Sequence, residues 1–526
     1  MSIITNLTYR AMLYPMRRQA RRFAQAAMAL EQTQRELLAG MLARNADTQF
    51  GRAHGFAKIR SFEEFARAVP IRKYDDLGDW IDKIASGQAS VLTCEPVQRF
   101  VPSSGSAAAC KFIPYTQSLR GQFQQAIGPW AHSTYAMWPE LKRGRAYCSI
   151  SPPAPAPPRR GVVPVGFGDD SEYLGPLSRW AYKRLFIDAS CRSEIDNPAA
   201  FRTLHAAVLL SADDLRLVSI WSPTYFTTVL NELADGGEAV FAQLDELAGS
   251  PRADHVRRAL ADGDYQAIWP ELKVISCWCD GPSATPAALL GEMFPNTEIQ
   301  PKGLMATEAV VSLKLAGVGD PVLAGRSHAF EFIDTESEEL VLPWSLEIGR
   351  TYRVIVSTAG GLWRYDLGDE VQVTGFDRTL PTMRFVGKEA MVSDLCGEKL
   401  NAIFVARCLD TLRTEGLLGP GFAMLAPQGP DGAEARYVLW LAGNAPATPD
   451  LAGRLDELLC ENYHYKNCRY LSQLKPAEVK TIAEDSPRAF AAYQNRLTAT
   501  GMRPGEIKFS PLSLLSDWPE VARRLV

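Results

Sequence analysis

From about residue 98 the chain alternates short apolar runs with stretches of helical spacing, and this alternation narrows the possible folds more than any other feature. The apolar runs are 146–150, 215–220, 272–277, 339–342 and 352–356. Between them, 199–210 and 224–233 carry apolar residues at helical periodicity. Strands separated by helices predict an α/β fold with substantial parallel sheet. The run Ser151-Pro-Pro-Ala-Pro-Ala-Pro-Pro158 fits neither a helix nor a central strand and is predicted to be a loop.

The flanks read differently. Residues 17–45, rich in Ala, Gln, Arg and Leu, predict one helix. Ser61 is placed to cap a second, with Glu64 three residues on, and Tyr74 to Ala85 predicts a third. Past a boundary near Val392–Gly397 come a predicted helix from Asn401 to Glu415, a hairpin-like pair around Gln428–Gly432 and a helix from Asp450 to Asn462. The expected organisation is a large α/β domain, 1–392, with mixed or parallel sheets flanked by helices. A small mobile α+β domain, 393–526, follows it.

Length and charge exclude some functions. A chain of 526 residues exceeds one compact core. With 56 basic and 60 acidic residues its net charge is −4, unlike a bulk nucleic-acid binder, which needs a strongly basic face. Met1–Arg22 is amphipathic and basic but has too short an apolar piece, broken by Pro15, for a signal peptide. It is expected to be a helix packed on the large domain. No stretch has the apolar length to span a bilayer, so the expectation is a cytoplasmic protein without stable membrane insertion. The ten cysteines include no CxxC pair. Cys277 and Cys279 share a strand face, without a second cysteine or histidine pair to complete a metal site, and are expected to be buried free thiols. The six histidines form no zinc-type cluster.

Four elements could carry chemistry. In Ser103-Ser104-Gly105-Ser106-Ala107-Ala108-Ala109-Cys110-Lys111, hydroxyls, backbone N–H groups and a lysine suit a phosphate-wrapping loop, although not a Walker A loop; a surface turn between strands has the same composition. In Gly303-Leu-Met-Ala-Thr307-Glu308, a hydroxyl can meet phosphate and a carboxylate Mg²⁺, or the pair can open a helix. In Arg364-Tyr-Asp366-Leu-Gly-Asp369, the last carboxylate can accept from both ribose hydroxyls, or the segment can be a tight Asx turn with Arg364 and Asp366 as a surface ion pair. In Gly505-Glu-Ile-Lys508-Phe509, a lone lysine gains meaning only beside the other three.

In that order and spacing, these elements resemble the sequential motifs of adenylate-forming enzymes. The wider text resembles the Gretchen Hagen 3 family of acyl-acid amido synthetases, in a bacterial-type form. The similarity is carried by Asn45–Phe56, Val69–Tyr74, Gly303–Glu308, Phe330–Ile333, Val371–Phe376, Phe385–Lys388 and Tyr465–Arg469, and it runs from about residue 40 to the end. It implies ATP and Mg²⁺ as cofactors, and a small-molecule carboxylic acid and an amine, expected to be an amino acid, as substrates. Position by position, it implies that Ser103, Ser104, Ser106 and Lys111 line the ATP phosphates. Thr307 would contact the α-phosphate, Glu308 would hold Mg²⁺, Asp369 would hold the ribose, and Lys388 would lie near it. Lys508 would reach in from the small domain during adenylation, and Trp221 and Tyr225 would form part of the acid pocket. One departure stands out: the family's phosphate loop is normally richer in Thr and Gly, where Ala107-Ala108-Ala109-Cys110 stands here. The alternatives left open are an acyl-activating ligase that uses coenzyme A or a carrier thiol, and a catalytically impaired nucleotide-binding member.

Overall fold

The computed structural model describes residues 3–103, 111–148, 160–166, 184–187, 198–234, 237–388, 392–429, 435–442, 450–500, 502, 505 and 507–523. The predicted loop at 151–158 and the phosphate-loop residues 104–110 lie outside them.

Strands β1 (Arg99–Ser103) and β2 (Lys111–Tyr115) pair antiparallel, with Ser103 opposite Lys111. Strands β3 (Arg145–Cys148), β4 (Phe186–Ile187), β5 (Leu215–Ser219), β6 (Val274–Cys277) and β7 (Glu298–Pro301) form a parallel sheet in the order β4-β3-β5-β6-β7. Helices Pro198–Ser211 and Pro223–Ala234 flank β5 in sequence, as the alternation predicts. All four residues of β6 are buried, the mark of a strand covered on both faces.

The runs at 339–342 and 352–356 belong to a second sheet, which the alternation alone does not separate from the first. It contains β8 (Ser312–Leu313), β9 (Val322–Leu323), β10 (Ala329–Asp334), β11 (Leu340–Val341), β12 (Thr351–Ser357), β13 (Tyr365–Asp377) and β14 (Leu380–Lys388). Its order is β11-β10-β12-β13-β14-β9-β8, with every pairing antiparallel. The class is therefore mixed α/β.

The predicted single helix over 17–45 is two helices, Ile3–Ala26 and Leu30–Asn45. Thr379, in the turn between β13 and β14, breaks it. Thr379 donates through its N–H and its hydroxyl to Ala27 O, and accepts from Leu30 N on the same hydroxyl. Those bonds outweigh the intrinsic helical preference of Ala27–Ala29. The first helix packs on the large unit, where the Tyr9 hydroxyl donates to Gly144 O at 2.6 Å. Ser61 caps Phe62–Ala68 by accepting from Glu64 N, while Glu64 reaches back to Arg60 N.

After β15 (Val392–Ser393) and β16 (Leu400–Asn401), helix Ala402–Thr414 leads into β17 (Ala423–Gln428), β18 (Arg436–Ala442) and β19 (Glu478–Ile482). β17 and β18 are antiparallel, and β18 and β19 are parallel across the helices Leu451–Leu459 and Tyr463–Tyr470. Leu400, Val405, Leu409, Leu439, Leu455 and Leu459 bury a core of their own there. Among the described residues, no helix is long and apolar enough to cross a membrane.

Candidate active site

A cleft opens where the two sheets meet the C-terminal segment; its walls include Trp278, Asp280, Asp369, Phe385, Lys388 and Lys508. Three widely separated stretches of sequence supply these residues, and a fourth brings Glu308 close enough for its charge to act on Lys388 and Lys508.

Asp369 and Lys388 face each other across β13 and β14, and Asp369 Oδ1 lies 3.7 Å from Lys388 Nζ. Asp369 is buried. Its carboxylate holds the Lys388 ammonium above its ordinary pKa, against the effect of burial. The turn that aims Asp369 depends on Gly368 at φ 69, a conformation in which a side chain would be strained, and on Asp366 Oδ1, which accepts from Gly368 N at 2.8 Å.

The reading of Arg364 and Asp366 as a surface ion pair is corrected. Both are buried, and they point to different partners. Arg364 Nε lies 2.8 Å from Glu331 Oε2, and its NH1 donates to Ala66 O and Val69 O. Asp366 lies 3.4 Å from Arg353. Arg364, at φ 49, precedes β13, whereas Asp366 lies within it opposite Ile355, and the two side chains turn to different partners.

Thr307 and Glu308 sit at a hairpin tip, not at a helix start: Met305 bridges Val310, and Ala306 N donates to Ala309 O at 2.9 Å. Gly303, at φ 83, opens this segment, and a Cβ there would come within 2.5 Å of Ser312 O. Glu308 is buried, and burial pushes its carboxyl above the usual range while Lys388 and Lys111 pull it down.

Lys111 approaches from β2, its ammonium 3.3 Å from the Tyr365 hydroxyl. Ser103 Oγ, opposite it, is buried and has no hydrogen-bond partner among the described residues. Ser104 and Ser106 lie outside the described residues. Lys508 extends into the cleft with its ammonium 4.6 Å from the Trp278 ring centroid and 5.2 Å from that of Phe385. Its side chain keeps access to solvent, yet enough protein surrounds the ammonium to pull its pKa below that of a free lysine. Asp369 and Glu308 act in the opposite direction.

Trp221 follows β5, its ring 5.9 Å from that of Trp278. Tyr225 lies in the helix Pro223–Ala234, with its side chain outside the described set. Three residues escape the sequence reading as single positions. Trp278 floors Lys508. Asp280, raised to about 6 by burial, accepts from Phe385 N at 3.4 Å. Lys302, buried beside Trp221, hydrogen-bonds Ser219 Oγ at 2.7 Å. Lys302 directly follows β7 and Asp280 lies shortly past the end of β6, at the strand ends where α/β folds place ligands; that position was the signal available. Cys277 and Cys279 are free thiols, their sulfurs 3.7 Å apart.

The arrangement fits a nucleoside triphosphate: an orphaned hydroxyl and two lysines stand where phosphates need donors, and a buried carboxylate stands at the turn suited to a ribose. For Mg²⁺ the described residues offer Glu308 alone, which suits an ion held mostly by phosphates and water.

This two-part α/β fold with one charged cleft is that of a solved acyl acid amido synthetase, AtGH3.15 in complex with 2,4-DB. That structure superposes with a TM-score of 0.81 at 18% identity, covering 97% of this chain and 96% of that one. The GH3 family N-terminal domain matches residues 19–163, and the GH3 family central domain matches 322–388. Curated relatives include indole-3-acetic acid-amido synthetase GH3.5 of Arabidopsis thaliana, 22% identical over 92% of this chain and 89% of its own. Another is putative indole-3-acetic acid-amido synthetase GH3.10 of Oryza sativa subsp. japonica, 23% identical over 76% of this chain and 85% of its own. The chain thus carries two segments similar to GH3 family domains, within a fold it shares with a GH3 enzyme.

Proposed function

We propose that the protein is an ATP-dependent acyl-acid amido synthetase: it joins a carboxylic acid to AMP with release of pyrophosphate, then transfers the acyl group to an amine. The observation that carries this reading is the convergence of Asp369, Lys388 and Lys508 on one cleft, with Glu308 near enough for its charge to act on both lysines and Lys111 near enough to act on Glu308.

In the first step a carboxylate oxygen attacks the α-phosphorus and the bond to the β-phosphate oxygen breaks. Lys508 and Lys111 neutralise the charge that builds on the phosphoryl oxygens. Ser103, with Ser104 and Ser106, donates to the phosphates, and Thr307 contacts the α-phosphate. Asp369 fixes the ribose, with Lys388 beside it as its counter-charge. Mg²⁺, on Glu308, would offset further phosphate charge. In the second step the amine nitrogen attacks the acyl carbon, AMP leaves, and the nitrogen gives up a proton. Trp221 and Tyr225 form part of the acid pocket. Residues 1–392 and 393–526 act as the two units, the second swinging Lys508 out between the steps. The setting is cytoplasmic, and the amine is an amino acid.

ATP–pyrophosphate exchange over aromatic, fatty and amino-acid carboxylates tests the first step. Product analysis with amino acids against coenzyme A tests the second. Exchange with no acid would refute the reading, and exchange followed by thioester rather than amide would reassign the acceptor.

A further inference from the structure

Lys302 stands apart from the charges of the cleft. It follows β7 directly, its backbone N–H donates to Cys277 O, and its side chain crosses the end of β6 to reach Ser219 on β5. The last residues of β3, β5, β6 and β7, namely Cys148, Ser219, Cys277 and Pro301, surround it in sequence and sheet order. Ligands of open α/β sheets bind at this carboxyl edge. The ammonium lies 4.9 Å from the Trp221 ring centroid and 5.4 Å from that of Trp130, and Trp130 is itself fixed by its Nε1 donating to Gln300 Oε1 at 2.8 Å.

A buried ammonium has three N–H donors and a large desolvation cost. Here one donor is satisfied by Ser219, two indole faces offer partial compensation, and the titratable groups acting on the charge are the thiols Cys148, Cys277 and Cys279. Among the described residues no carboxylate pairs with it. The indoles of Trp221 and Trp278 lie side by side, with Lys302 at one and Lys508 at the other. Laid along this indole pair, an acid with its reacting carboxylate at Lys508 would have its far end toward Lys302.

We infer that Lys302 reads the distal end of the acyl acid, and that the acids this protein activates carry an oxygen acceptor, phenolic or carboxylic, remote from the reacting carboxylate. The inference rests on the amido synthetase reading and narrows its substrate class. On this reading the wall at Trp221 is aromatic with one buried cation.

The test is pyrophosphate exchange with matched acids, benzoate against 4-hydroxybenzoate and hexanoate against adipate, for the wild-type protein, Lys302→Met and Lys302→Gln. The wild type should prefer the oxygen-bearing member of at least one pair by about tenfold or more in kcat/KM, and both variants should bring that ratio toward one. A wild-type preference for the plain acid in both pairs overturns the inference, as does a ratio unchanged in the variants. If neither variant folds, the wild-type ratios and Lys302→Arg decide: a wild-type ratio near one in both pairs, or full retention of the preference with the bulkier cation, overturns it. Exchange with none of these acids, nor with any of the wider panel, would instead overturn the amido synthetase reading.

Discussion

Two lysines, Lys388 and Lys302, lie within the same unit of the protein but in opposite electrostatic surroundings. Lys388 faces Asp369 at 3.7 Å and feels Glu308, and its pKa is raised. Lys302 has indoles, thiols and one hydroxyl, and its pKa falls to about 8, with burial the dominant cause. The difference separates two ways to keep a cation inside a protein. Carboxylates at the cleft make Lys388 a permanent charge, suited to holding another group in place. Their absence at Lys302 leaves a charge whose balance a ligand can complete.

The largest expected effect belongs to Lys508, the third cation. Lys508→Ala should slow adenylate formation by about 10²- to 10³-fold, while a separately supplied acyl-adenylate reacts with amine almost as in the wild type. Rapid-quench measurement of both half-reactions decides this, and equal loss in both would remove the step-specific role. Next, Glu308→Gln should depress pyrophosphate exchange on the order of a hundredfold, with a much smaller change in melting temperature. The reverse pattern would make Glu308 a structural residue of the hairpin. Asp369→Ala should weaken ATP binding by about tenfold, measured calorimetrically, with the fold retained. Unchanged affinity would remove the ribose assignment and leave Asp369 as the counter-charge of Lys388 only.

The smallest effect sharpens the contrast itself. Lys302 is depressed in the folded state relative to about 10.5 when unfolded. Between roughly pH 8 and 10.5 the unfolded chain therefore binds a proton that the native state does not, so native stability rises with pH through that window. Below it the cost of the buried charge is fully present. Urea midpoints at pH 7, 8.5 and 10 should show the wild type gaining on the order of 1–2 kcal/mol relative to Lys302→Met. A pH-independent gap would mean that Lys302 carries a hidden counter-charge.

The sequence made the parallel sheet legible because its strands are short apolar runs between periodic helices, as at Leu215–Ser219 and Val274–Cys277. It did not separate the seven-stranded antiparallel sheet, since a half-buried strand such as Tyr365–Asp377 interleaves charge with apolar residues and lacks such a run. The helix break at Ala27–Ala29 was invisible because its cause, Thr379, lies about 350 residues away in the chain. Within the site, Glu308, Asp369 and Lys508 were nameable in advance because each lies in a short motif whose order and spacing resemble those of adenylate-forming enzymes. Their mutual placement was not, and neither was the separation of Arg364 from Asp366, which follows from the left-handed backbone of Arg364 just before β13. Lys302 and Trp278 went unnoticed because a lysine and a tryptophan on the ends of buried strands look locally like any strand ending.

The pairing of Ser103 with Lys111 has a consequence for how such a protein can change. Opposite residues of an antiparallel ladder stand about 5 Å apart, so the seven residues from 104 to 110 depart and return through a mouth whose width the ladder dictates. A threonine- and glycine-rich stretch grafted between the same two anchors should therefore leave the β1–β2 pairing as it is.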